Sequence, residues 1–199
     1  MKRMTSLTLA ATLLGIPRAF AQTPAPASAT PAPAAAPAAA ATSADVASID
    51  AILSALYDTI SGPAGKKRDW ARLRSLFIEG ARLIPTGPRP GGAAGSRVLD
   101  VEGYVERSSP YFEKEGFHEK EVARRVDRFG HIAQVFSTYE SRHEPSGAPF
   151  ARGINSIQLM NDGKRWFIVT IFWEGESDSV KIPAEYLKSR ADEGAQRTR

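Results

Sequence analysis

Eight residues near the C-terminal end, WFIVTIFW at 166–173, limit what this chain can fold into more than any other stretch. Side chains of a strand alternate between its two faces. Here Trp166, Ile168, Thr170 and Phe172 share one parity and Phe167, Val169, Ile171 and Trp173 the other, so both faces are apolar. The strand is one arm of a hairpin: RGINSIQLM precedes it, and Asn161-Asp162-Gly163 between the arms is a turn sequence that tolerates positive φ. An antiparallel strand commonly has one core face and one wet face. Two apolar faces require two covers, helices on one side and something else on the other.

The helices come first in the chain. Ser43 caps a helix in which Val46, Ile49, Ile52, Leu53, Leu56, Tyr57 and Ile60 recur on one face until Gly62-Pro63 ends it. Asp69 caps a second, DWARLRSLF, with Trp70, Leu73, Leu76 and Phe77 on one side. ARLIP reads as a strand, GPRPGGAAGS as a loop, and RVLD as a short strand paired with the first. Asp100 opens a third helix, VEGYVERSSPYFEKEG, where Tyr104 and Tyr111 share a face at a spacing of seven. Strands follow. Val122 and Val126 share a parity in 117–129, Gly130 breaks the chain, and Ala133, Val135, Ser137 and Tyr139 share one in HIAQVFSTYESR before EPSGAP leads into the final hairpin. Helices followed by an antiparallel meander make an α+β order.

The ends are of another kind. MKRM followed by the apolar run SLTLAATLLGI, with Ala19-Phe20-Ala21 after it, has the charge, core and cleavage pattern of a signal peptide over residues 1–21. The run is short for a membrane span, which needs about 20 residues; an uncleaved N-terminal anchor is the alternative. Residues 22–42 are almost wholly Ala, Pro, Ser and Thr, a tether with nothing large to bury. The chain is expected to be exported, periplasmic or secreted, with a domain over 43–187 and a charged tail over 188–199. That domain, about 145 residues, can bury a single core.

Charge excludes several functions. Of 26 basic residues, Lys2, Arg3 and Arg18 leave with the signal peptide, so 23 remain against 22 acidic ones. The tail takes four bases and two acids, leaving 19 against 20 in the body. A nucleic-acid binder needs a basic domain with a basic face, so no nucleic-acid partner is expected, and no membrane after signal cleavage. With no Cys, disulfides, thiol catalysis and thiolate metal sites drop out together. His118, His131 and His143 form no ligand-spaced set with carboxylates, so no metal or cofactor is expected.

The second helix running into FIEGARLIP, the phrase AQVFSTYESR and the DGKRWFIVTIFW hairpin resemble the nuclear transport factor 2-like superfamily. Within it the chain is similar to a secreted bacterial SnoaL-like subgroup of unassigned function, whose ending IPAEYL matches residues 182–187. The resemblance covers residues 44 to about 187. It implies a cystatin-like cone, with three N-terminal helices packed on a curved, mainly antiparallel sheet. In the superfamily's isomerases, dehydratases and cyclases, substrate sits between sheet and helices with an Asp or His as base. Ketosteroid isomerase places its Asp near the end of the first strand, where this chain reads ARLIPTG and offers no acid. Proton abstraction at that place lacks its base.

Candidate ligand-binding residues follow from the pattern and the resemblance. Tyr57 lies on the first helix's apolar stripe, where relatives place a tyrosine that donates to a substrate oxygen; otherwise it is a core tyrosine with its hydroxyl at the rim. Trp70, Tyr104, Tyr111 and Trp166 supply aromatic lining. One of Arg124 and Arg125 points to the helices whatever the register, and Arg125 is named as a clamp for an anionic group, against an ion pair with Glu140 or Glu174. Tyr139 or Glu140 lines the cone, and Asn155 or Gln158 offers an amide to a ligand. His118, beside Phe117 at a strand start, is a candidate acid or base near neutral pH, and otherwise reads as solvated at the end of the EKEGFHEK loop.

Three functions remain: a module binding a small, largely apolar ligand in the cone; an association domain; and an isomerase-, cyclase- or dehydratase-type enzyme using Tyr57 with a cavity acid or His. No catalytic residue is assigned. By resemblance, Trp166, Ile168, Thr170 and Phe172 face the helices, leaving Phe167, Val169, Ile171 and Trp173 outside. So large an apolar patch marks an interface, and a two-fold homodimer through the sheet is expected to cover it. The competing cover is the C-terminal segment, with Ile182, Tyr186 and Leu187 folded back.

Overall fold

The computed structural model describes residues 42–89 and 91–188. The signal peptide, nearly all of the tether and nearly all of the charged tail lie outside the described residues. Among the described residues no helix is long and apolar enough to cross a membrane.

The first helical stretch is two pieces, where the sequence suggests one. Thr42 and Asp45 form a capping box around a 3-10 turn, Ser43–Val46, and Ser48 then accepts from the Ala51 amide to start α1, Ile49–Ile60. A second capping residue so close to the first ends the 3-10 turn and starts the α-helix afresh. Asp69 caps α2, Trp70–Ser75, and Asp100 caps α3, Val101–Glu115.

Six strands follow or interleave: β1 Phe77–Pro88, β2 Ala94–Ser96, β3 His118–Phe129, β4 Ile132–Arg142, β5 Ala151–Asn161 and β6 Trp166–Gly175. They form one sheet in the order β2-β1-β6-β5-β4-β3. All neighbours are antiparallel except β1 and β6, which run parallel. The architecture is α+β, three helices on one face of a mainly antiparallel sheet. Ile52 and Leu53 of α1, Leu73 of α2 and Val105 and Phe112 of α3 share a core with Val135, Ile157 and Ile168 of the sheet. Each such fully buried aliphatic contributes roughly 1.5–3 kcal/mol.

Two bulges decide which residues see that core. In β6, Ile168 pairs with Leu159 but Thr170 pairs with Gln158, so Val169 is the extra residue. β1 breaks its register against β6 at the same level, between Phe77 and Arg82, where Gly80 takes φ +74°. A bulge places two residues opposite one and reverses the parity beyond it. Trp166 and Ile168 face the helices as expected. Past the bulge the expectation inverts: Ile171 is 5% exposed and packs inward, Trp173 packs against the core, and Phe172 turns outward at 45% exposure. Ile171 and Trp173 are therefore not on the outer face, and Thr170 and Phe172 are not in the cone. In β3 the bulge falls at Val122, between the pairs Glu121–Tyr139 and Ala123–Thr138.

The outer face is partly covered by the chain itself. Tyr186 stacks edge-on to Phe136 at 5.2 Å, its carbonyl accepts from the Thr138 hydroxyl at 2.6 Å, and the Arg125 guanidinium lies 4.3 Å from its ring centre. The segment thus covers the β3–β4 side. Leu187 stays 43% exposed, and Phe172 is left open.

Candidate functional site

Between α1, α3 and the concave face of the sheet lies a cavity of about 290 Å³. Its wall is largely rings: Tyr57, Tyr104, Phe112, Phe117, Tyr139, Phe150 and Trp173. Phe150, 44% exposed, is the most open of these. Polar groups converge from one side, Glu119 of β3, Ser141 of β4 and Asn155 of β5, with Ser108 from α3. Among the described residues no lysine, arginine or histidine lines the space.

Strand parity brings these groups together. Glu119 pairs with Ser141 and Glu121 with Tyr139 across β3–β4, while Ser137 pairs with Asn155 across β4–β5. All face the helices. Gly153 sits opposite Tyr139, and a side chain there would meet the Tyr139 hydroxyl at 2.4 Å, so the glycine leaves room for the phenol.

Tyr57 is held in a chain of hydrogen bonds. Asn155 Nδ2 donates to its hydroxyl at 3.1 Å, and that hydroxyl lies 2.7 Å from Ser137 Oγ. Ser137 in turn donates to Glu121. A serine has one hydroxyl proton; with that proton given to Glu121, Tyr57 donates to Ser137. The Tyr57 proton is then unavailable to a ligand oxygen, contrary to the role that relatives suggest for it. Burial pushes the Tyr57 hydroxyl well above its ordinary pKa, with the charge of Glu119 adding to the effect.

Glu119 differs from its neighbour. Glu121 meets Arg124 at 3.0 Å, and Arg124 also pairs with Asp50 at 2.8 Å, so the inward arginine is 124 and its partners are these two acids. Among the described residues no cation pairs with Glu119. Its carboxylate accepts from Ser141 Oγ at 2.7 Å. Burial raises its pKa to about 7, and hydrogen bonds from Ser141 and Asn155 only partly offset that. Burial followed by its charge also raises the hydroxyls of Tyr104 and Tyr139. One carboxyl thus sits among three phenols and titrates near neutrality.

Of the residues singled out in the sequence, Tyr57, Tyr104, Tyr139 and Asn155 meet at this cavity, joined by Trp173. Trp70 stacks behind the wall on Phe112, with ring centres 6.2 Å apart. Tyr111 is 42% exposed, because the buried stripe of α3 is centred on Val105 and Phe112, and the helix meets the cavity at Tyr104, Ser108 and Phe112 instead. Trp166 is buried in the core, 5.1 Å from the Arg128 guanidinium. Arg125 lies on the outer face against Tyr186. Glu119 and Ser141 were not singled out. Glu119 stands in the charge-rich run EKEGFHEKE, which reads as solvent-facing. The signal that finds it is alternation, since Glu119 and Glu121 flank Lys120 on a strand whose other parity must be wet.

No known family's sequence profile matches the chain, and no curated protein matches it. Among solved structures, one from Nostoc punctiforme, described as a protein of unknown function with a cystatin-like fold, is similar at a TM-score of 0.50 and 9% identity, covering 65% of this chain and 90% of that one. A nuclear transport factor 2-like protein of unknown function from Silicibacter pomeroyi is similar at 0.46 and 14%, covering 65% and 94%. A further protein so described, from Shewanella baltica, is similar at 0.40 and 17%, covering 63% and 89%. The fold is cystatin-like.

Proposed function

We propose that this chain is an exported module that holds a small, largely apolar ligand in its cone and pairs with a second copy through the outer face of its sheet. The observation that carries the binding reading is the ring-walled cavity of about 290 Å³ with convergent polar groups on one side, the usual composition of a small-molecule site and near the lower end of its size range. That volume suits a single ring or a short chain. Export rests on the N-terminal pattern, and its test is mass analysis of secreted material, expected to begin at Gln22.

Trp173 is the only tryptophan on the cavity wall, so its fluorescence reports occupancy. Titration with benzyl alcohol is expected to change it saturably, and native mass spectrometry of protein from its own host is expected to show a retained small molecule. No saturable change and no retained mass would contradict the reading.

The pairing reading rests on Phe167 and Val169 together with Phe172, which replaces Ile171 and Trp173 in the patch. A second function, proton transfer with Glu119 as base, is favoured by the place of its carboxyl on the cavity wall, where desolvation raises its pKa to about 7. Tyr57, which donates to Ser137, is not its oxyanion donor.

A further inference from the structure

Two acids of β3 face the helix side of the sheet, and they are treated differently. Glu121 has Arg124 at 3.0 Å. Glu119, two residues before it, opens onto the cavity, and among the described residues none of the side chains lining that space carries a positive charge. A carboxylate in an apolar enclosure without a countercharge is costly. Serine and amide hydrogen bonds reduce that cost but leave the charge uncompensated. The remaining wall combines seven aromatic rings with the aliphatic side chains of Leu56, Ile60, Leu73, Leu83, Ala151 and Ile171; the negative π-faces of aromatic rings attract cations and repel anions. Carboxylate and rings select the same ligand charge.

Resting on the binding reading above, we infer that the ligand is a small organic cation, an ammonium group on an apolar body, with its charged head against Glu119 and its body among Tyr104, Tyr139, Phe117 and Trp173. The incoming ammonium supplies the countercharge that Arg124 supplies to Glu121, and its donors reach acceptor positions that Ser141 leaves open on the Glu119 carboxylate. An anionic ligand would meet like charge and ring faces of the same sign. A neutral ligand would fill the space without answering the charge.

Three probes share one ring and differ in the head group: benzylamine, benzyl alcohol and benzoate. Followed by Trp173 fluorescence at pH 8, wild-type protein is expected to bind them in that order of falling affinity. Glu119→Gln keeps the shape and removes the charge; it is expected to weaken benzylamine by about tenfold or more and to leave benzyl alcohol within about threefold. A pH series on wild-type protein keeps the inference testable if that variant misfolds. Tyr57, Tyr104 and Tyr139, which face Glu119, stay protonated in this range; Glu121, whose carboxyl pKa burial also raises, is not part of the cavity lining and pairs with Arg124. Only the benzylamine affinity is expected to fall, on the order of tenfold, between pH 8 and pH 5.5 as Glu119 takes up its proton. Benzyl alcohol bound as tightly as benzylamine, or a benzylamine advantage that survives in Glu119→Gln, overturns the inference while the binding reading stands. Failure of all three probes to bind overturns both.

Discussion

Arg68 and Glu119 are both charged residues drawn into the fold, and the protein answers them in opposite ways. Every donor of the Arg68 guanidinium finds a backbone carbonyl: Nε meets Ile60 O at 2.9 Å, Nη2 meets Gly62 O at 2.6 Å and Phe112 O at 3.1 Å, and Nη1 meets Pro63 O and Lys66 O. The group ties the end of α1, the following loop and α3 into one corner. A side chain at position 62 would come within 2.8 Å of Nη1, so glycine makes the room. Glu119 receives one serine hydroxyl and help from an amide, then faces open space. A buried charge with all its hydrogen bonds made is architecture. One left short of partners beside a cavity is a place for a ligand.

The largest expected effect is at the saturated corner. Arg68→Met removes donors from five carbonyls at once and should cost about 3 kcal/mol or more in urea unfolding; a loss under about 1 kcal/mol would mean that water replaces the guanidinium without penalty and that the contrast is false. Glu119→Gln should act in the other direction. The pKa of Glu119 rises from 4.5 to about 7 on folding, so the folded state holds its proton more tightly, and the stability this contributes is complete below about pH 4.5 and lost as pH rises through 7. At pH 8 the variant should be more stable than wild type by roughly 2–3 kcal/mol, with the gap closing toward pH 4.5. A gap that does not change with pH would place the carboxyl in ordinary solvent.

Tyr57→Phe should cost about 1–2 kcal/mol, because it leaves the Asn155 amide without its acceptor, while benzyl alcohol binding stays within about twofold. Unchanged stability with lost binding would put the hydroxyl on the ligand instead. The smallest effect on the fold is expected at the outer face, where Phe172→Glu should move stability by no more than about 0.5 kcal/mol yet give a monomer by light scattering. Wild-type protein that is already monomeric at micromolar concentration would remove the pairing proposal.

The sequence carried the element order, the caps Asp69 and Asp100, and the Asn161-Asp162-Gly163 turn, which forms with Gly163 at φ +94°; it missed that Ser48 rather than Ser43 caps the first α-helix and that the short partner strand of β1 is Ala94–Ser96 rather than RVLD, of which Leu99 alone bridges to Leu83. It carried half of the β6 face assignment. Trp166 and Ile168 obey simple alternation, but a bulge at Val169 has no signature in a run of uniformly apolar residues, so Ile171 and Trp173 could not be placed. The site was legible through its rings and through Asn155, and illegible in Glu119. A glutamate between a histidine and a lysine reads as surface unless its strand's inward parity is known, and the bulge at Val122 obscures that parity from the far end of β3.

The most direct test of this contrast is the titration of the Glu119 carboxyl by carbon-13 NMR, with Glu119→Gln to assign the signal, in empty protein and with saturating benzylamine. The account predicts a midpoint near 7 when empty and a clear fall when the ammonium is bound. A midpoint near 4.5, or one that the amine leaves unmoved, would contradict it.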